Sequence, residues 1–362
     1  MHAASGRVSQ RTCGAAAIIK GQVTRMKKKS GKLFFNLILI LLLVFVLYRM
    51  FRGQSREITT SIHELSAFSL FLILLCSVLY QVTDGIIVTK IMRKHKESFS
   101  FREGIEAVFQ GCFYRGISFS MGTMAGQMYF LSEKGIQLSQ SMSVLTLSYA
   151  MQKIGVCLYV TLSFIFNGSF FYKNYSSYIS YMWLGYAINL VVVVFLILIA
   201  ASKKFHHQVN VLLKNFPKSK KIQPIQEKVT AQMDELSEDA SLILCDAKLL
   251  IHVLLLELIK FSFWYIIPYL GLIGGIHAGG ELNPFDLLSV TALINALVGV
   301  IPTPSGIMST EVVFTVLFAV IIGKAEAGAV MILYRFATYI LPVLIGILVW
   351  LISRRKQDRS GG

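Results

Sequence analysis

The run Pro302-Thr303-Pro304-Ser305-Gly306-Ile307-Met308-Ser309-Thr310-Glu311 lies between two apolar stretches, and Tyr334-Arg335 follows inside the last apolar run of the chain. An arginine at the centre of a membrane span costs about 2.5–3.5 kcal/mol on insertion scales, so it faces a partner, a cavity or a substrate. Its guanidinium grips a phosphate bidentately and does not deprotonate, which makes Arg335 the first candidate for anchoring an anionic headgroup. An ion pair with Glu311 that only locks two helices is the competing reading, and both hold if substrate competes with Glu311 for the arginine. Glu311 also stands where a helix would start, so the helix dipole alone accounts for it. Pro302, Pro304 and Gly306 are expected to turn a re-entrant hairpin and leave the N–H groups of the next helix open to an anion; a kinked span is the alternative.

A second, weaker constellation precedes this one. Gly122-Thr123-Met124-Ala125-Gly126-Gln127 aligns its Gly122 and Gln127 with Gly306 and Glu311. It supplies backbone freedom without proline, although close helix packing explains its glycines nearly as well. Lys153, on the helix after this region, is the counterpart of Arg335 and a further candidate for substrate contact. Glu257 and Lys260 sit one turn apart in an apolar span and are expected to neutralise each other; Asp84 lies in or near another span. The seven histidines are scattered without ligand spacing, and no nucleotide loop, nucleophile elbow or zinc signature appears, so neither a metal nor a cofactor nor intrinsic catalysis is expected.

These residues need membrane elements to position them. Of 362 residues, 55% are hydrophobic and 15% charged, which places the chain in the membrane class. A span needs about 20 mostly apolar residues. Six stretches qualify: 33–50, 64–91, 142–166, 178–201, 249–276 and 328–353. Two more are interrupted, 104–131 by glycines and 284–323 by the Pro302 to Gly306 turn. The net charge of +16 would suit nucleic acid, but the basic residues gather in short loops beside the spans (Lys27 to Lys32, Arg93 to Lys96, Lys203 to Lys221, Arg354 to Lys356). That pattern assigns those loops to the cytoplasm and excludes a nucleic-acid partner. The five cysteines show no paired spacing and read as packing residues.

Parity then fixes the order. Residues 1–25 are polar and small, and read as a disordered or wrongly included extension ahead of Met26. Residues 26–356 form a single transmembrane domain and 357–362 a tail. Within the domain a full span, a broken hairpin and a full span occur twice with opposite topology, over about 64–166 and 249–353, with a cytoplasmic connector at 202–248. Inverted repeats with broken helices at matching positions point to a transport site near the midplane. The fold expected is an all-α polytopic integral membrane protein of about six full spans plus two broken or re-entrant hairpins.

The stretch P-T-P-S-G-I-M-S-T-E at Pro302 to Glu311, followed by Y-R at Tyr334-Arg335, resembles the membrane domain of lysylphosphatidylglycerol synthases, over about Lys27 to Arg355. That family's pattern is similar to proline-x-proline-glycine-glycine-x-x-x-x-glutamate; here Ser305 replaces the first glycine. The resemblance implies a flippase that moves aminoacylated phosphatidylglycerol outward, and a link to resistance against cationic antimicrobial peptides. In full-length members a separate soluble domain transfers lysine from lysyl-tRNA, and no such domain is read here.

The expected function is therefore a lipid flippase of the bacterial plasma membrane with both termini cytoplasmic, moving an anionic or aminoacylated phospholipid between leaflets. The expected partners are membrane phospholipids, with a separately encoded soluble aminoacyl-lipid transferase as a further one. Two alternatives stay open: the membrane component of a phosphatidylglycerol lysyltransferase system, and a carrier of another lipid-linked substrate. Tyr334, Arg335, Glu311, Pro302, Pro304, Gly306, Lys153, Gln127 and Gly122 are the expected substrate contacts.

Overall fold

The computed structural model describes residues 63–118, 122–201, 246–276, 283–300 and 309–360. Eleven α-helices occur among them: α1 (Ala67–Met92), α2 (Phe101–Ile117), α3 (Thr123–Glu133), α4 (Leu138–Asn174), α5 (Ile179–Ala201), α6 (Ala247–Tyr265), α7 (Ile267–Ile273), α8 (Pro284–Val300), α9 (Ser309–Ile322), α10 (Lys324–Arg335) and α11 (Leu341–Ser360). A π-helical segment, Phe336–Ile340, joins the last two. The expectation of an all-helical, multi-pass membrane chain holds. Four helical stretches are long and apolar enough to cross a bilayer: Ala67–Met92, Leu138–Asn174, Ala247–Ile273 and Lys324–Ser353. Ile179–Phe195, within α5, is a shorter apolar stretch. The expected span at 33–50 lies outside the described residues, as does most of the connector.

Local chemistry explains the breaks. A capping box starts α2: the Ser100 side chain accepts from the Glu103 N–H while Glu103 accepts from the Ser100 N–H. Pro268 divides α6 from α7, since it offers no N–H to continue the ladder. Inside α4, Asn167 leaves helical geometry at φ −121°, ψ 20°, and its side-chain amide donates to Asp286 (2.9 Å) and Ser289 (3.1 Å) of α8.

The arms of both interrupted regions are short. At 1.5 Å per residue, the 11 residues of α3 reach about 16 Å and the 14 of α9 about 21 Å, against a hydrocarbon layer of about 30 Å. In the first region the two arms run antiparallel: Gly111 lies against Gln127, and Tyr114 against Gly126 and Tyr129. Residues 119–121 and 301–308, the two connections, lie outside the described residues. So do Pro302, Pro304 and Gly306.

At the centre, α1 runs antiparallel to α6 and α7 along its whole length. The Ser66 N–H donates to the Gly274 carbonyl at one end (2.6 Å), Asp84 meets Lys260 in the middle, and Lys94 reaches Asp246 at the other end (2.6 Å). Asp246 lies outside the spans; the Lys94 ammonium, helped by the Leu249 N–H, holds its carboxyl below the usual aspartate range. Two further antiparallel pairs flank this axis. The first joins α2 to α11, where Gly346 passes so close that an added Cβ would fall 2.6 Å from the Phe109 carbonyl oxygen, and where Phe113 stacks on Trp350. The second joins α4 to α8 through Asn167 and Asp286 at one end and Lys153 and Gly299 at the other.

The surface is apolar where a soluble protein's would be polar. Phe68, Phe166, Tyr181, Val191, Ile251, Leu255 and Leu348 are all more than half exposed, while Lys260, Glu257, Gln81 and Glu311 are buried. An outward apolar belt around buried charges is the arrangement a bilayer solvent selects.

Candidate functional site: two arginines and an acidic cluster around a divided cavity

Arg335 closes α10, and Glu311 stands in the first turn of α9. The Arg335 Nε–H donates to Glu311 Oε1 at 2.7 Å. Glu311 Oε2 is buried with no hydrogen-bond partner among the described residues. The structure thus brings together the two residues that sequence reasoning paired. Tyr334 packs its ring against Phe314, at 5.1 Å between centroids.

A second arginine, absent from the sequence-based candidates, joins them. Arg115 lies in the last turn of α2, and its Cζ sits 5.2 Å from the centre of the Tyr339 ring; the Cζ of Arg335 sits 5.8 Å from the same ring. Both guanidiniums therefore converge on one aromatic ring, one from α2 and one from α10. The π-helical turn contributes to this: Arg115 Nη2 lies 3.4 Å from the Thr338 carbonyl, and the Ala337 carbonyl accepts from the Ser77 hydroxyl of α1. A π turn widens the helix and offers such carbonyls to neighbours. Arg115 has no carboxylate partner among the described residues, and its Nε–H is buried and unbonded.

Two chambers meet at Arg115 and Trp264. The larger, about 460 Å³, is lined by Tyr80, Asp84, Arg115, Gln127, Gln152 and Trp264 among others. The smaller, about 170 Å³, is lined by Arg115, Trp264, Asn295, Thr310, Tyr334 and Arg335 among others. Gln127 is thus a wall of the larger chamber, and its side chain rests on Gly111 of α2. Gly122 stands at the N-terminus of α3, where its N–H donates to the Ser118 hydroxyl.

Lys153 is not brought to these walls. Its ammonium lies 5.5 Å from the Tyr149 ring and turns toward Gly299, while the preceding Gln152 lines the chamber and approaches the Tyr80 hydroxyl at 3.4 Å. The expected neutralisation of Glu257 by Lys260 is present at 2.7 Å. Lys260 also reaches Asp84 across the α1 and α6 pair at 2.8 Å, a contact with no local signal. A third cleft of about 650 Å³, lined by Phe166, Leu162, Leu258, Phe285 and Leu288 with Asn167 and Ser289 at hand, is more apolar.

Charges of both signs lie along the chambers: Arg115 and Arg335, the latter paired with Glu311, line the smaller, whereas Asp84, with Lys260 and Glu257 behind it, lines the larger together with Arg115. The arrangement can hold a phosphate and an ammonium at once.

Among family models, residues 33–346 match the one described as the lysylphosphatidylglycerol synthase TM region. Comparison with curated proteins gave no match.

Proposed function

Because the chain belongs to the lysylphosphatidylglycerol synthase transmembrane-region family, we propose that it moves a phospholipid with an anionic or aminoacylated phosphatidylglycerol headgroup between the leaflets of a bacterial plasma membrane. The observation that carries this reading is Arg115: a guanidinium at membrane depth, lining both chambers and without a carboxylate of its own. Such a charge is costly in hydrocarbon unless a ligand completes it. The phosphate sits between Arg115 and Arg335, in the bidentate geometry guanidinium favours, and a headgroup ammonium sits at Asp84.

The helix pairing supports an inverted repeat, with α1 to α4 corresponding to α6 to α11. The first span of each half pairs antiparallel with that of the other, and the first hairpin arm of each half docks on the last span of the other. The basic ends of α1 and α11 set the cytoplasmic side, because Arg93, Lys94 and Lys96 follow α1 while Arg354, Arg355 and Lys356 close α11.

The test is leaflet exchange of labelled phosphatidylglycerol and lysylphosphatidylglycerol in proteoliposomes. A charge-assisted hydrogen bond contributes about 1.5–3 kcal/mol, so Arg115→Gln is expected to slow exchange roughly 10- to 150-fold while folding normally, since no ion pair is broken. Unchanged exchange in that variant, or no exchange by folded wild-type protein, refutes the reading.

A further inference from the structure

Two acidic side chains and one basic one meet beside the larger chamber. Lys260 Nζ lies 2.8 Å from Asp84 Oδ1 and 2.7 Å from Glu257 Oε2. Lys260 and Glu257 are enclosed, at 0% and 1% exposure, whereas Asp84 keeps 26% and lines the chamber. Glu257 Oε1 has no partner among the described residues, and the contact of Oε2 with Lys260 is too poorly aligned for a hydrogen bond.

Among the described residues the surroundings add no second cation. From α1, Glu257 is faced by Asp84 and Tyr80, and from its own helix by Lys260 and Tyr265. From α4 it meets Gly155, whose added Cβ would stand 2.9 Å from Glu257 Cβ. Neither α7 nor α8 brings a charged side chain to it among the described residues; Asp286 of α8 is held by Asn167. The ammonium of Lys260 is covered by the rings of Tyr80 and Phe261, at 5.3 and 5.4 Å. Two carboxylates on one ammonium thus leave a negative charge in a closed site. An uncompensated buried charge is strongly disfavoured, and a proton is the smallest ion that removes it.

We propose that Glu257 is the site of an exchangeable proton, and that Lys260 switches between Asp84 and Glu257 so that an organic ammonium arriving at Asp84 expels it. The inference rests on the zwitterion reading of the chamber given above. In the empty site Asp84 is ionised and paired with Lys260, and Glu257 is a neutral acid. As the ligand ammonium approaches, Lys260 Nζ gives one of its protons to Asp84, which passes it to chamber water, and the freed nitrogen lone pair takes the Glu257 proton as that O–H bond breaks, so that Lys260 is an ammonium again. Each carboxylate then faces one ammonium, no net charge has been created in the site, and one proton has left for one ammonium bound. A headgroup with phosphate but no ammonium binds without releasing a proton. The site therefore couples lipid movement to proton movement.

The test titrates the purified full chain with lysylphosphatidylglycerol and with phosphatidylglycerol, by calorimetry in buffers of different ionisation enthalpy, which counts protons exchanged on binding. Wild type is expected to release about one proton per lysyl lipid at neutral pH and none for phosphatidylglycerol. Glu257→Gln, which copies the neutral acid, is expected to bind the lysyl lipid and release none. Lysyl-lipid binding without release, or equal release from the variant, overturns the proton site and leaves the lipid reading standing. Failure of both lipids to bind overturns the lipid reading and the coupling with it. Infrared spectroscopy tests the proton itself without any ligand: the carbonyl stretch of a protonated carboxylic acid is expected in wild type at neutral pH, lost in Glu257→Gln and moved in Glu257→Asp. Its absence from wild type refutes the proposal.

Discussion

Whether Arg335 and Glu311 form a lock or a substrate gate is decided by breaking the pair from each side and then from both. Glu311 is 7% exposed at its side chain, one oxygen held by Arg335 and the other without a hydrogen-bond partner among the described residues. In Arg335→Gln the carboxylate keeps its charge and loses its counter-ion. Breaking a buried pair in this way costs about 3–5 kcal/mol, two to three orders of magnitude in the unfolding equilibrium. Glu311→Gln leaves Arg335 beside the Tyr339 ring and open to the smaller chamber, where water or lipid phosphate can serve it, so the loss is expected to be smaller. The double variant removes both charges together and is expected to recover most of the stability, as neutral replacements of buried pairs generally do. Leaflet exchange then separates the readings. A lock predicts that exchange returns with stability in the double variant. A phosphate ligand predicts a stable double variant that still exchanges slowly. Denaturant unfolding in detergent and proteoliposome exchange on the same preparations give both numbers. Full exchange by the stable double variant would refute a role for Arg335 in holding substrate.

Two further perturbations report on the scaffold. Gly155→Val places a side chain where Glu257 Cβ already stands 2.9 Å from the glycine's empty Cβ position; it is expected to push α4 from α6 and lower unfolding free energy by about 1–3 kcal/mol, and unchanged thermal stability would mean that the helices pack differently. At the Lys94 end of α1, the lowered Asp246 carboxyl contributes stability above the ordinary aspartate range and loses it as pH falls through its own, lower value. Wild type and Asp246→Asn are therefore expected to differ in melting temperature near neutral pH and to converge in acid, and a gap that widened in acid would contradict the sign.

The spans were legible because hydrocarbon demands long apolar runs, and α1, α4, α6 with α7, and α10 with α11 all coincide with runs read from composition. The interruptions were legible, although the one between α8 and α9 announces itself in the sequence by proline while the one between α2 and α3 does so only by glycine. The pairing of Glu311 with Arg335 followed from two charges flanking one break. Arg115 was missed because its neighbourhood reads as a glycine-rich packing region. The signal was nevertheless present, since Arg115, like Arg335, is an arginine inside an otherwise apolar run. Lys153 was favoured from its place in the repeat, but helical geometry turns residues one apart by about 100°, and that rotation puts Gln152 on the chamber and Lys153 on α8. The reach of Lys260 to Asp84 joins residues 176 apart, and nothing short of the antiparallel α1 and α6 pair foretells it.

Chamber size and charge together constrain what crosses. The two chambers, about 460 and 170 Å³, suit a headgroup and fall within the range of small-ligand sites, but are too small to hold two acyl chains as well. No described residue lines both these chambers and the apolar cleft at Phe166. On the proposed lipid reading the acyl chains would stay against the outer belt of Phe68, Ile251, Leu255 and Leu348, while the headgroup alone entered. A headgroup moved in this way leaves the aqueous interface for a region of low dielectric, and its charges need replacements for lost water at every point. In the proposed transport the two arginines on Tyr339 would replace hydration of the phosphate, and Asp84 that of an ammonium, so that a headgroup lacking either charge leaves one of these groups unanswered.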